Sequence, residues 1–158
     1  MGSPSQVRAG KTLERWTCRW LKGLGHKQAS RSHQDRQGSH EKGSVPDVLG
    51  VPLWIECKRL KDAKLDAALT LVRKAWQQAL ADRDRAGSNH PVLIVASCGR
   101  TGALKLLAMS FFEPPGTFAY GPRIIYRHRE IAAPLLVTDF SWETAREIET
   151  WIRGLEKQ

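Results

Sequence analysis

The sequence predicts one α/β domain across residues 1–158, with a central mixed β-sheet flanked by helices. Three observations carry that expectation. The stretch Val45–Arg59 reads as a β-hairpin, Lys64–Arg85 repeats its apolar residues at helical spacing, and Pro91–Ser97 is a continuous apolar run suited to a strand buried on both faces. A helix precedes the hairpin, and a further strand follows the buried one.

In chain order, Lys11–Leu24 reads as the first helix, with Leu13, Thr17, Trp20, Leu21 and Leu24 on one stripe and Gly23 and Gly25 marking its end. Glu14 lies on the flank of that stripe. Lys27–Ser30 suits a short strand. Arg31–Ser44 is a long polar loop whose Arg31, Arg36, Ser39, Lys42 and Ser44 suit phosphate contacts. Its His33 and His40 have no helical scaffold to converge them and are poor metal-ligand candidates.

The long helix has Leu65, Leu69, Val72, Trp76 and Ala79/Leu80 as its main apolar stripe. By the same periodicity Gln77 is expected in solvent, and Gln78 is expected to face inward with Ala67, Leu71 and Ala75. Ala103–Met109, Arg123–Tyr126 and Pro134–Thr138 read as strands, and Glu113–Pro122, with its prolines and glycines, as a loop. Ser141 is placed to cap a last helix, Trp142–Leu155, whose stripe is Ala145, Ile148, Ile152 and Leu155.

Composition narrows the function. A 41% hydrophobic content with six tryptophans belongs to a globular chain. Lys+Arg of 25 against Asp+Glu of 16 gives a formal charge of +9, which favours a polyanionic partner, most simply nucleic acid. No basic amphipathic segment stands out for a membrane surface, and no apolar run is long enough to cross a bilayer. Cys18, Cys57 and Cys98 are widely separated and read as reduced thiols rather than a zinc site. A cytoplasmic setting is the expectation.

The chemistry concentrates in the hairpin. Strand alternation puts Trp54, Glu56 and Lys58 on one face and Ile55 and Cys57 on the other. With the turn at Gly50-Val51-Pro52-Leu53, Leu49 pairs with Trp54, Val48 with Ile55, and Asp47 with Glu56. Two opposed carboxylates repel unless something positive lies between them, and an oxygen-loving divalent cation suits that gap. A half-buried hairpin with incidental charges is the plain alternative. Charges on buried strands are costly unless paired or metal-bound, which weighs against it.

Pro46-Asp47 followed by Glu56-Cys57-Lys58 resembles the signature of PD-(D/E)XK nucleases, metal-dependent enzymes that cut phosphodiester bonds. The order of elements over about residues 11–109 is similar to that superfamily's restriction-endonuclease-like core, leaving 110–158 as a C-terminal extension. Gly10-Lys11 with Glu14-Arg15, the basic loop before the hairpin, and Gln78-Ala79 are similar to Holliday-junction resolvases of archaeal and phage type and to related small phage nucleases. Cys57 departs from the Val, Ile or Ala more usual at the motif's middle position, and the preceding loop is longer than expected.

The resemblance implies a catalytic set of Glu14, Asp47, Glu56, Lys58 and Gln78. Its metal ligands would be Glu14, Asp47, Glu56 and the backbone carbonyl of Cys57, holding Mg²⁺ with Mn²⁺ able to substitute. Lys58 would orient the attacking water or stabilise charge on the phosphate, and Gln78 would hold the water or the phosphate. Arg31, Arg36, Lys42, Ser44, Arg59, Lys61 and Arg100 are the DNA-binding candidates. The expected function is a Mg²⁺-dependent endonuclease selective for branched DNA. Two symmetric cuts would require a homodimer, for which Trp142, Trp151 and Ile152 of the last helix offer an interface unless that helix closes the sheet. The alternatives are a restriction-like, nicking or repair nuclease, and a non-cleaving DNA-binding protein on the same scaffold.

Overall fold

The computed structural model describes residues 4–32, 45–60, 65–99, 102, 104–110, 123–126, 135–140 and 142–158. In chain order these form α1 (Pro4–Gly23), β1 (Ser30–Arg31), β2 (Val48–Leu49), β3 (Trp54–Leu60), α2 (Leu65–Arg85), β4 (Val92–Cys98), β5 (Leu104–Ser110), β6 (Arg123–Tyr126), β7 (Leu135–Asp139) and α3 (Trp142–Glu156). The strands make one seven-stranded mixed sheet, ordered β1-β2-β3-β4-β5-β7-β6.

The sheet owes its mixed character to α2. A hairpin can join only antiparallel strands, whereas a helical crossover returns the chain parallel to where it started. Accordingly β3 and β4 run parallel, from Trp54↔Val92 to Leu60↔Cys98, and every other pairing is antiparallel. All seven residues of β4 are buried, as a strand covered on both faces requires.

Helices cover the two faces differently. On one face, Leu13 and Leu21 of α1 and Ile148, Trp151 and Ile152 of α3 pack with Val48, Ile55, Leu93, Val95, Leu107 and Met109. On the other, Ala68, Leu69, Val72, Ala75, Trp76 and Ala79 of α2 pack with Trp54, Leu60, Ile94, Ala96 and Ala108. Residues 55 and 54 therefore belong to opposite cores, as strand alternation dictates. Trp151 is 2% exposed and Ile152 is fully covered, so the last helix closes the fold, and these two residues are not free to form an interface between copies. The side chain of Trp142 and the cap residue Ser141 lie outside the described set, as do residues 113–122.

Other element limits shift by one to seven residues. α1 begins at Pro4 rather than Lys11; proline suits a first helical position because its missing N–H has no helical partner there. The first strand is Ser30–Arg31, since Lys27 and Gln28 form a turn in which the Ala29 N–H donates to the His26 carbonyl. The longer α1 is also a basic amphipathic helix, a feature that a start at Lys11 conceals. No helix among the described residues is long and apolar enough to cross a membrane.

Candidate active site

The hairpin forms with the expected register. Val48 pairs with Ile55 and the Asp47 N–H donates to the Ile55 carbonyl, which sets Asp47 opposite Glu56. Gly50 holds the turn with φ of 87°, and a Cβ there would lie 2.2 Å from the Gln28 carbonyl oxygen. Only glycine permits both that conformation and that approach.

β2 begins only at Val48, opposite Ile55, so a strand two residues long borders the seven-residue β3 and leaves it uncovered from Glu56 onward. The ladder is completed by a side chain: the Cys57 N–H donates to Asp47 Oδ2 at 2.8 Å. A strand residue's N–H and C=O point to the same edge, so the Cys57 carbonyl opens beside Asp47. Two carboxylates and one backbone oxygen thus converge where the sheet edge becomes free.

Glu56 approaches from the α2 face, where Trp54 Nε1 donates to its Oε1 at 3.1 Å. Burial raises the Glu56 carboxyl, the charge of Asp47 raises it further, and together they push it up to about 8 despite the Trp54 bond and the nearby Lys58 charge. Burial also raises Asp47, opposed by the Cys57 N–H, the hydrogen bond with Glu56, and the charges of Lys58 and Arg31. Both carboxyls are therefore raised, Glu56 by its neighbour's charge as well as by burial, as like charges held close require. Lys58 is exposed two residues along the same strand.

Glu14 and Gln78 are each engaged by another side chain. Glu14 lies on the α1 side, and Arg31 Nε donates to its Oε2 at 2.7 Å. The charge of Glu14 reaches the Cys57 thiol, which is raised by burial and further by Asp47, Glu14 and Glu56, so Glu14 lies near the centre. Among the described residues, however, no group of three or more His, Cys, Asp and Glu side chains is already gathered to hold a metal ion. Gln78 is exposed, against the expectation that it faces inward, and its Nε2 donates to Asp82 Oδ1 at 2.9 Å. The buried stripe of α2 centres on Ala68, Val72, Ala75 and Ala79, and at about 100° per residue Gln78 falls roughly a quarter-turn or more outside it. Ala67 and Leu71 are exposed on the same flank, and Gln77 is exposed as expected.

Of the phosphate-binding candidates, Arg36, Lys42, Ser44, Lys61 and Arg100 lie outside the described residues. Arg31 is engaged with Glu14. Arg59 donates from Nη1 to the Ser97 and Leu60 carbonyls at 3.1 and 3.2 Å and from Nη2 to the Gly99 carbonyl, so its guanidinium ties the ends of β3 and β4 together. Cys57 lies beside Thr17 of α1, Sγ to Oγ1 3.5 Å, and burial pushes its thiol well up, with Asp47 adding to the shift.

Two partners escape a reading of the sequence. Nothing in the spacing of Glu14 and Arg31 marks them as a pair. Trp54 as a donor to Glu56 is signalled only by its position two residues away on the same strand face. The chain has no match among known relatives: no protein-family model, curated protein or solved structure matches it.

Proposed function

We propose that this protein is a Mg²⁺-dependent DNA endonuclease of the PD-(D/E)XK type, acting on branched or structured DNA in the manner of a Holliday-junction resolvase. The observation that carries the reading is the half-buried Asp47–Glu56 pair across the hairpin, with Asp47 Oδ2 on the Cys57 N–H and both carboxyls raised by burial. Such a pair is costly as two bare anions, and a divalent cation in place of the Glu56 proton relieves both desolvation and repulsion.

The donor set suits a hard cation: carboxylate oxygens of Asp47 and Glu56 and the carbonyl oxygen of Cys57. Bound Mg²⁺ supplies Lewis acidity toward a phosphate oxygen and lowers the pKa of a coordinated water. The protein's own contributions follow from its geometry. Trp54 fixes Glu56 through its indole N–H, and Asp47 is fixed by the Cys57 N–H. Lys58 presents an ammonium at the same edge, where preorganised positive charge favours an attacking anion and a pentacoordinate phosphate. Glu14, paired with Arg31, adds its charge beside this centre.

A non-cleaving DNA-binding protein on the same scaffold is the second reading, favoured by Glu14 being held by Arg31 and Gln78 by Asp82. Metal-dependent cleavage of a four-way junction, a flap, a nicked duplex and a single strand, run side by side, separates these readings. Wild type is expected to cut the junction best and Asp47→Ala to cut nothing. Identical behaviour of the two proteins on every substrate would sink the catalytic reading, whereas cleavage of another substrate in preference would redirect it to a restriction-like, nicking or repair nuclease. A resolvase further requires a homodimer, which sedimentation at micromolar concentration tests.

A further inference from the structure

The face of α1 turned away from the core carries a row of cations. Arg8, Arg15, Arg19 and Lys22 are exposed, and Lys11 is half-buried beside them. At about 100° per residue these five fall within an arc of roughly 80°, directly opposite the buried Leu13, Thr17 and Leu21. At about 1.5 Å per residue the row from Arg8 to Lys22 is some 21 Å long.

None of the five is ion-paired with an acid among the described residues. Glu14 is the one acid in α1, and it is turned to the flank and engaged by Arg31. Like charges at i,i+4 and i,i+3 destabilise a helix. Arg8, Lys11, Arg15, Arg19 and Lys22 are linked by just those spacings. The helix therefore carries a local repulsion that no acid paired with these cations among the described residues offsets.

We propose that this face of α1 docks along the sugar-phosphate backbone of duplex DNA, outside the Asp47–Glu56 centre. A linear array of unpaired cations of this length complements a regularly spaced row of phosphates, and each contact releases condensed counterions. An anionic bilayer fits less well. A helix that lies in a membrane interface buries its apolar face in lipid, and the apolar face of α1 is already buried in the protein core. The proposal deepens the nuclease reading by naming how the substrate is held, and it takes from that reading only that the polyanion is DNA.

The test is binding of a fluorescent blunt duplex by the full chain, followed by anisotropy in EDTA across a salt series, so that no cleavage is needed. Arg15→Gln/Arg19→Gln removes two contacts and is expected to lower the slope of log K against log salt by about 1.8, at roughly 0.9 per phosphate. The affinity gap between wild type and variant should then narrow about 12-fold between roughly 50 and 200 mM salt. Lys74→Glu, an exposed position on α2 at the opposite face of the sheet, changes net charge by the same two units and is the control. If the stripe variant does not fold, as judged by circular dichroism, Arg8→Gln/Lys22→Gln takes its place.

A reduced slope in the stripe variant with an unchanged slope in the control supports the proposal. An unchanged slope in the stripe variant, or an equal reduction in the control, overturns it. So does a stripe variant that loses binding to phosphatidylserine vesicles while keeping its duplex affinity. Failure here leaves metal-dependent cleavage by wild type untouched, and an inactive wild type that still shows the slope change would overturn the nuclease reading alone.

Discussion

The proton that the raised Glu56 carboxyl holds makes stability depend on pH in a direction opposite to that of an ordinary salt-bridged carboxylate. Glu56 titrates at about 8 in the fold against an ordinary value of 4.5, so across that window the folded chain holds a proton that the unfolded chain has released. The stability this proton confers is complete below about 4.5 and is lost as pH rises to and through 8. Thermal melts without divalent ions should therefore show Tm falling from pH 5 to pH 8. In Glu56→Gln that fall should be largely absent. Mg²⁺ should raise the wild-type Tm at pH 8 and leave Asp47→Ala unchanged, because a ligand stabilises only a fold that binds it. At the same scale, Glu14→Gln should reduce cleavage by about 10- to 100-fold, as loss of a supporting group around a metal centre does, while Asp47→Ala abolishes it. Equal losses in the two variants would instead make Glu14 a direct ligand.

At the scale of elements, the centre depends on a turn that only glycine can make. Gly50 combines φ of 87° with backbone packed where a side chain would go, whereas Gly87, which ends α2 with φ of 69°, has open space around it. Gly87→Ala should cost about 1–2 kcal/mol for the left-handed conformation alone. Gly50→Ala should cost more and also abolish cleavage, since the turn must shift away from Gln28 and carry Asp47 with it. Denaturant melts of both variants, set beside their activity, check this. The hairpin's register was legible in the sequence because its apolar alternation and the Gly50-Val51-Pro52-Leu53 turn allow one pairing. The position of Gln78 was not. A helical stripe built of alanines, as Ala68, Ala75 and Ala79 are, can centre itself on small residues that hydrophobic periodicity weighs lightly, and that rotation put Gln78 outside.

Across the whole molecule, α1 and α3 share a core on one face of the sheet while α2 covers the other. Trp151, at 2% exposure, is among the largest fully enclosed side chains, and Trp151→Ala should cost about 3–5 kcal/mol through lost burial and an unfilled cavity. A cost near zero would mean that α3 does not close the fold. If sedimentation gives a dimer, its interface must lie on some other surface than that held by Trp151 and Ile152.

What the sequence by itself determined is whatever depends on neighbours along the chain. The helices and strands, the opposition of Asp47 and Glu56, and the covered strand Val92–Cys98 all follow from periodicity and turn chemistry acting over a few residues. Tertiary structure decided what depends on contacts across the chain. It set Arg31 on Glu14, turned Gln78 to Asp82, committed the Arg59 guanidinium to the carbonyls of Leu60, Ser97 and Gly99, and buried Trp151. Long, charged side chains have many partners within reach and no local rule to choose among them. The choice is made only when the sheet brings particular carbonyls and carboxylates to the place where each side chain ends.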